Sequence, residues 1–235
     1  MKKVFIIGEP AVNDELKNAL GAKTEITDYL DNSIDVIFET TNFSKEKKAE
    51  NIRYIDERSN SKVPVFTSSL CIPVYEQASF GKYSKRLIGI GLYGTFLTAK
   101  LLEIAPSKIT DAKILENAES FLKEIKVNYA KVPDRAGLVF PRILSMIINE
   151  AVQVYSENTA TRDDIDTAMK LGTNYPFGPL EWADKLGNDL VYNILNALQN
   201  EYGEDRYRPH PALKEMVNLN LLGVKTGKGF YDYTG

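Results

Sequence analysis

Lys3-Val4-Phe5-Ile6-Ile7-Gly8 opens the chain as a short unbroken apolar run that stops at a glycine, and an amphipathic stretch, residues 14–20, follows it. Apolar side chains at successive positions suit a strand covered on both faces, as in a parallel sheet, so this start reads as strand, turn and helix. Working outward, residues 24–28 offer a second strand, 34–40 (IDVIFET) a stronger one, and 63–67 and 87–92 two more. Lys- and Glu-rich helical turns separate them, notably residues 45–57. Strands alternating with helices predict an α/β domain built on an open parallel sheet.

From about Thr110 the pattern turns helical, apart from a brief run at 127–132 that reads as a last strand. The boundary is therefore expected near Pro133, giving a sheet domain over residues 1–132 and an all-helical domain over 133–235. Residues 137–158 set Leu138, Ile143, Ile147, Ala151 and Val154 on one stripe, with apolar neighbours that predict a helix buried on several sides. Thr161 followed by Asp164 is a variant capping box for a helix closing at Gly172. Pro179 and Asn188 mark two further starts, and 211–219 a last short helix before the tail GVKTGKGFYDY.

Composition sets the function classes. A net charge of -3 over 235 residues gives no electrostatic reason to expect a nucleic-acid partner. No apolar run approaches the roughly 20 residues of a membrane span. The first apolar stretch is too short for a signal-peptide core, so the expected location is the cytoplasm. The single cysteine, Cys71, excludes an internal disulfide, has no neighbouring cysteine for a metal site, and reads as a packed thiol.

Two blocks, IDTAMKLGTNYPFGPLEWAD (165–184) and YRPHPALKEMVNLNLLGVKTGKGFYDY (207–233), resemble the carboxy-terminal helical domain of the 3-hydroxyacyl-CoA dehydrogenases without gaps. The resemblance implies an amino-terminal Rossmann-type domain for NAD, a helical second domain through which two copies dimerise, and an acyl-CoA substrate. By themselves the motifs read as glycines at helix ends and prolines at helix starts. His210, the only histidine, lies in the RPHP turn and reads as structural.

Against the family pattern the chemistry-bearing positions depart. A dinucleotide pyrophosphate needs a G-x-G-x-x-G turn, whose second glycine lets the backbone approach and whose helix amides donate. Here the turn is Gly8-Glu9-Pro10-Ala11-Val12-Asn13, with Pro10 and Asn13 at the second and third glycine positions. Glu9, Asp14 and Glu15 add negative charge there, the last two also suiting a helix start. Asp28, 20 residues after Gly8, stands where an acid reads a ribose hydroxyl, but with the glycines gone it reads rather as a surface aspartate. Lys48 matches a family lysine near the cofactor and otherwise reads as one more solvated lysine. The chain reaches the Ile34 strand only six positions after Asp28, too few for a βαβ crossover, so a smaller sheet is expected than in a standard dinucleotide domain.

The family's reaction uses a histidine base oriented by a glutamate twelve residues on, an imidazole suiting proton transfer near neutral pH. In this sequence Gly91 takes the histidine's place and Gly94-Thr95 that of a following Asn-Pro pair, while Glu103 keeps the glutamate position and Lys100 precedes it. Ser68 matches a substrate-contacting serine, with Phe66 where the family has asparagine. The active-site asparagine falls on Pro141, although Asp134, Gly137 and Arg142 keep the register. The sequence thus reads as a truncated Rossmann-like domain followed by a dehydrogenase-type helical domain, in a shortened, degenerate member that has lost NAD-dependent activity and serves as a ligand-binding or scaffold homologue. The alternative is an active short-chain 3-hydroxyacyl-CoA dehydrogenase in which Tyr93 or Glu103 substitutes for the base. New chemistry in the old cleft, using Ser68, Glu103, Lys100 and Tyr93, is a third.

Overall fold

The structure, a computed structural model, describes residues 1–93 and 101–234, which form two compact units, Met1–Leu138 and Val139–Gly235. In the first, β1 (Lys3–Ile7) leads to α1 (Pro10–Leu20) and β2 (Glu25–Thr27), then to β3 (Val36–Glu39), α2 (Lys45–Arg58), β4 (Val65–Ser68), the short α3 (Val74–Gln77) and β5 (Leu87–Ile90). It ends with β6 (Leu102–Pro106), α4 (Ala112–Glu124) and β7 (Tyr129–Lys131). The seven strands lie in the order β2-β1-β3-β4-β5-β6-β7.

The continuous apolar runs are explained by burial on both faces. Val4, Ile6, Val36, Phe38, Phe66, Ile88 and Ile90 pack on one face with Leu16 and Leu20 of α1 and Ile114, Phe121 and Leu122 of α4. The alternating residues Phe5, Ile37, Val65 and Leu87 pack on the other with Ile52 and Ile55 of α2. Each such side chain contributes about 1.5–3 kcal/mol by burial, so a one-residue slip of register would cost much of both layers.

Four expectations are corrected here. The helix after β1 starts at Pro10 rather than Asp14, because proline with its preset φ suits the first turn; Asp14 and Glu15 therefore lie beyond it. The sheet is not wholly parallel: β6, a strand absent from the sequence reading, pairs antiparallel with β5 and parallel with β7. Only helix-free residues 28–35 join β2 to β3, yet they deliver β3 parallel to β1 on the side opposite β2. Eight residues reach up to about 26–29 Å, enough to return along a three-residue strand of about 10 Å and cross two strand spacings of about 5 Å each. Lys48, expected to be solvated, is 0% exposed.

The second unit comprises α5 (Phe140–Ser156), α6 (Arg162–Thr173), α7 (Pro179–Leu186), α8 (Asn188–Tyr202) and α9 (Pro211–Asn218). Its core joins Leu144, Ile148, Ala151 and Val152 of α5 to Ile165, Leu180, Val191, Leu195, Leu213 and Phe230. The buried stripe of α5 is thus rotated from the one read in sequence, and Ile143, expected on that stripe, is 56% exposed. Thr161 caps α6 by accepting from the Asp164 N–H, but the helix runs past Gly172 and closes on left-handed Asn174. His210 is the N-cap of α9, its Nδ1 accepting from the Ala212 N–H at 3.2 Å. No described helix is long and apolar enough to cross a membrane.

Candidate functional site

Because β2 and β3 flank β1, the chain reverses its strand order between β1 and β3, and the carboxyl ends of those strands frame the crevice in which open α/β sheets hold ligands. Gly8 ends β1 with φ +132°, and a Cβ there would collide with Thr40 Oγ1 and the amide nitrogens of Thr40 and Thr41, so only glycine fits. Close approach is therefore kept at this position, but its occupant is the turn after β3. Thr40 N–H donates to the Ile7 carbonyl at 2.8 Å, and Glu9 N–H to Thr40 Oγ1 at 2.8 Å. The Thr40 hydroxyl donates to Asn13 Oδ1 at 2.6 Å, and Asn42 N–H to Glu9 Oε1 at 2.6 Å. Four hydrogen bonds close the two lips on each other.

Pro10 is the first residue of α1 and supplies no N–H, and Asn13 N–H is already committed to the Glu9 carbonyl at 2.9 Å. The residues present do not fit a dinucleotide pyrophosphate at this turn: its backbone donors are reduced and a carboxylate lies across the mouth. Asp28 directly follows β2, the location of a ribose-reading acid, and its side chain is 86% exposed, 3.9 Å from Lys17 Nζ.

Beneath the crevice lies a buried polar network that sequence reading did not assemble. Lys48 Nζ donates to Glu39 Oε2, to Thr67 Oγ1 at 3.0 Å and to the Ser68 carbonyl at 2.9 Å, which uses all three ammonium protons. Glu39 Oε1 accepts from Thr41 N–H at 3.1 Å and Asn51 Nδ2 at 3.1 Å, and the Thr67 hydroxyl lies 2.7 Å from Gln77 Oε1. Burial pulls the Lys48 ammonium below its ordinary pKa while the Glu39 carboxylate pulls it upward. One signal in the sequence pointed here: an acid, Glu39, ends a wholly apolar strand, where an ionised carboxylate demands a partner.

Ser68 is buried, and its hydroxyl donates to Asn42 Oδ1. Asn42 is thus gripped at both ends, by Ser68 through its side chain and by Glu9 through its backbone. Cys71, close by in sequence, is half-buried.

The β5–β6 pairing explains the twelve-residue spacing. Gly91 N–H donates to the Glu103 carbonyl at 3.0 Å, so Glu103, 9% exposed, lies across from Gly91 on the adjoining strand. A Cβ at Gly91 would stand 3.2 Å from Leu138 Cδ1, 3.6 Å from Tyr93 Cε1 and 3.8 Å from Leu70 Cδ2. A side chain here would require Leu138 to give by a few tenths of an ångström, while Tyr93 and Leu70 stand at ordinary contact distance. Burial, and secondarily Glu103, push the Tyr93 phenol up to about 12. Lys100, Gly94 and Thr95 lie outside the described residues.

Pro141 occupies the first turn of α5, where no intrahelical N–H partner is required, and is buried. Asp134 accepts from the N–H groups of Val74 and Tyr75, each at 2.8 Å, and so caps α3. Arg142 donates to the hydroxyls of Tyr202, at 3.0 Å, and Tyr207. The register around Pro141 is therefore kept by residues with structural partners.

Residues 137–233 match the family described as 3-hydroxyacyl-CoA dehydrogenase, C-terminal domain. The chain is 33% identical over 223 residues to a 3-hydroxybutyryl-CoA dehydrogenase of Clostridioides difficile, covering 95% of this chain and 79% of the relative. It is 29% identical over 231 residues to a 3-hydroxybutyryl-CoA dehydrogenase of Bradyrhizobium diazoefficiens, covering 97% and 79%. Among solved structures, (S)-3-hydroxybutyryl-CoA dehydrogenase from Ralstonia eutropha is alike in fold, with a TM-score of 0.83 and 24% identity over 100% of both chains.

Proposed function

The chain belongs to the 3-hydroxyacyl-CoA dehydrogenase family, and within it we propose a member that does not turn over NAD and acts by binding instead. The observation that carries this reading is Gly91: at the family's histidine position there is no side chain, and the site is closely lined by Leu138, Tyr93 and Leu70. Loss of a positioned general base costs about 10² to 10⁴ in rate, before any loss of cofactor binding through Glu9, Pro10 and Asn13. Glu103 and Ser68 then stand as remnants of the catalytic set, and Gly8, Asp28 and Lys48 as remnants of the cofactor set. What remains is an acyl-CoA ligand held without reaction, or a scaffold that pairs with a second copy through the helical unit.

The competing reading is an active short-chain enzyme with a replacement base. Tyr93 is poorly suited to that role, since a phenol pushed up to about 12 keeps its proton at neutral pH and can donate but not accept. That leaves Glu103.

The test is calorimetric titration of the purified protein with NADH and, separately, acetoacetyl-CoA, with NADH absorbance followed when both are present. Acetoacetyl-CoA binding without NADH consumption is the expected result for a ligand-binding member. Binding of neither, with a dimer by sedimentation, identifies the scaffold form. Micromolar binding of both with steady NADH oxidation would overturn the proposal.

A further inference from the structure

Beyond the loss of turnover, and resting on that reading, we infer that Glu9 is a resident anion that closes the β1/β3 crevice against a dinucleotide's diphosphate and so sets what that crevice can bind. Its backbone N–H is tied to Thr40 Oγ1 at 2.8 Å and its carboxylate takes the Asn42 N–H at 2.6 Å, so one residue bridges both lips of the crevice. A carboxylate accepting a backbone N–H uses the same donor chemistry that a phosphate oxygen would use. The negative end that an open α/β sheet ordinarily receives from its ligand is here supplied by the protein.

Three neighbouring features give the bridge its effect. Gly8 has no room for a side chain and brings the turn against Thr40 and Thr41, so there is no slack for the lips to part around an incoming group. The Asn13 side chain is engaged by the Thr40 hydroxyl at 2.6 Å, a second stitch beside the first. Pro10 removes an amide that could compensate for the loss of Asn42 N–H. A diphosphate entering here would have to displace the Glu9 carboxylate from Asn42 and then lie beside that displaced charge. Two like charges a few ångströms apart repel in any partly desolvated setting. The consequence reaches further in, because Asn42 also accepts the Ser68 hydroxyl. Holding Asn42 from both sides keeps the serine hydroxyl turned inward.

Glu9→Gln, which keeps the side-chain length and an acceptor oxygen while removing the charge, and Glu9→Ala, which removes both, separate charge from bridging. Inorganic pyrophosphate, ADP and NADH are titrated calorimetrically into wild type and both variants, with circular dichroism to check folding. No heat of binding is expected in wild type at millimolar pyrophosphate or ADP. Glu9→Ala should gain at least tenfold in affinity and Glu9→Gln an intermediate amount, with an upfield move of the Asn42 amide proton in both. If Glu9→Ala does not fold, the same comparison is decided on Glu9→Gln. A folded variant that gains nothing, or wild type that binds ADP as tightly as the variants, overturns the inference. Failure here with wild type still inert to NADH leaves the proposed function standing, whereas NADH turnover by wild type removes that proposal whatever the variants do.

Discussion

Lys48 and Glu39 form an ion pair with neither side chain exposed, at the carboxyl ends of β3 and β4 where a sheet of this kind ordinarily presents itself to a ligand. The pair is supported by Thr67, Thr41, Asn51 and the Ser68 carbonyl, so both charges are hydrogen-bonded as well as paired. Removing one partner leaves the other charge buried and alone. Lys48→Met is expected to lose roughly 3–5 kcal/mol of stability, and Lys48→Met with Glu39→Leu to lose much less, since a matched apolar pair removes both desolvation penalties. Urea denaturation at pH 7 decides it; equal losses in the two proteins would count against the network.

Gly91→His returns an imidazole to the family's position but meets Leu138 Cδ1 at 3.2 Å from its first carbon. Overpacking of this kind costs about 1–3 kcal/mol. The expected outcome is a lowered urea midpoint and no NADH oxidation with acetoacetyl-CoA. A stable Gly91→His protein with restored turnover would mean that cofactor binding had survived and only the base was missing.

Tyr93 gives a pH signature. Its phenol is raised from the ordinary value of 10 to about 12, so the folded state retains a proton that the unfolded state gives up first. The associated stability is intact below about pH 10 and is lost as pH rises from there towards 12. Tyr93→Phe should remove that component of alkaline destabilisation, and the wild-type minus variant absorbance at 295 nm should titrate near pH 12. A difference titration centred near 10 would show that the phenol is not desolvated.

Asp166 holds two elements of the helical unit together. Its carboxylate accepts from Leu180 N–H and Glu181 N–H, each at 2.9 Å, and from the Tyr231 hydroxyl at 2.9 Å. Hydrogen bonds to a charged acceptor contribute about 1.5–3 kcal/mol each when the donor would otherwise be stranded, so Asp166→Ala should lose at least 2 kcal/mol. The freed tail beyond Tyr231 should become the first site of limited proteolysis. An unchanged melting temperature and cleavage pattern would contradict the role.

Much of the fold was legible because it rests on local rules. Val4 to Ile7 is apolar at every position, which only a strand covered on both faces explains, and Pro179 and Asn188 mark helix starts through backbone chemistry of their own. Strand β6 was missed because a four- or five-residue run such as LEIAP carries little periodicity of its own, and its identity comes from pairing with β5 and β7. The face of α5 was misread by one position for a related reason: with apolar residues all around, only the packed neighbours decide which side is inward.

By itself the sequence determined ancestry, the α/β-then-helical order, and the absence of a histidine at position 91, all of which follow from residue identity and short spacings. Only the tertiary structure decided that Lys48 is buried on Glu39, that Asn42 is held between Glu9 and Ser68, and that Leu138 lies against Gly91. Those partners lie 9 to 47 positions apart in the chain, and contacts at such separation are set by sheet order and register, which no local pattern encodes.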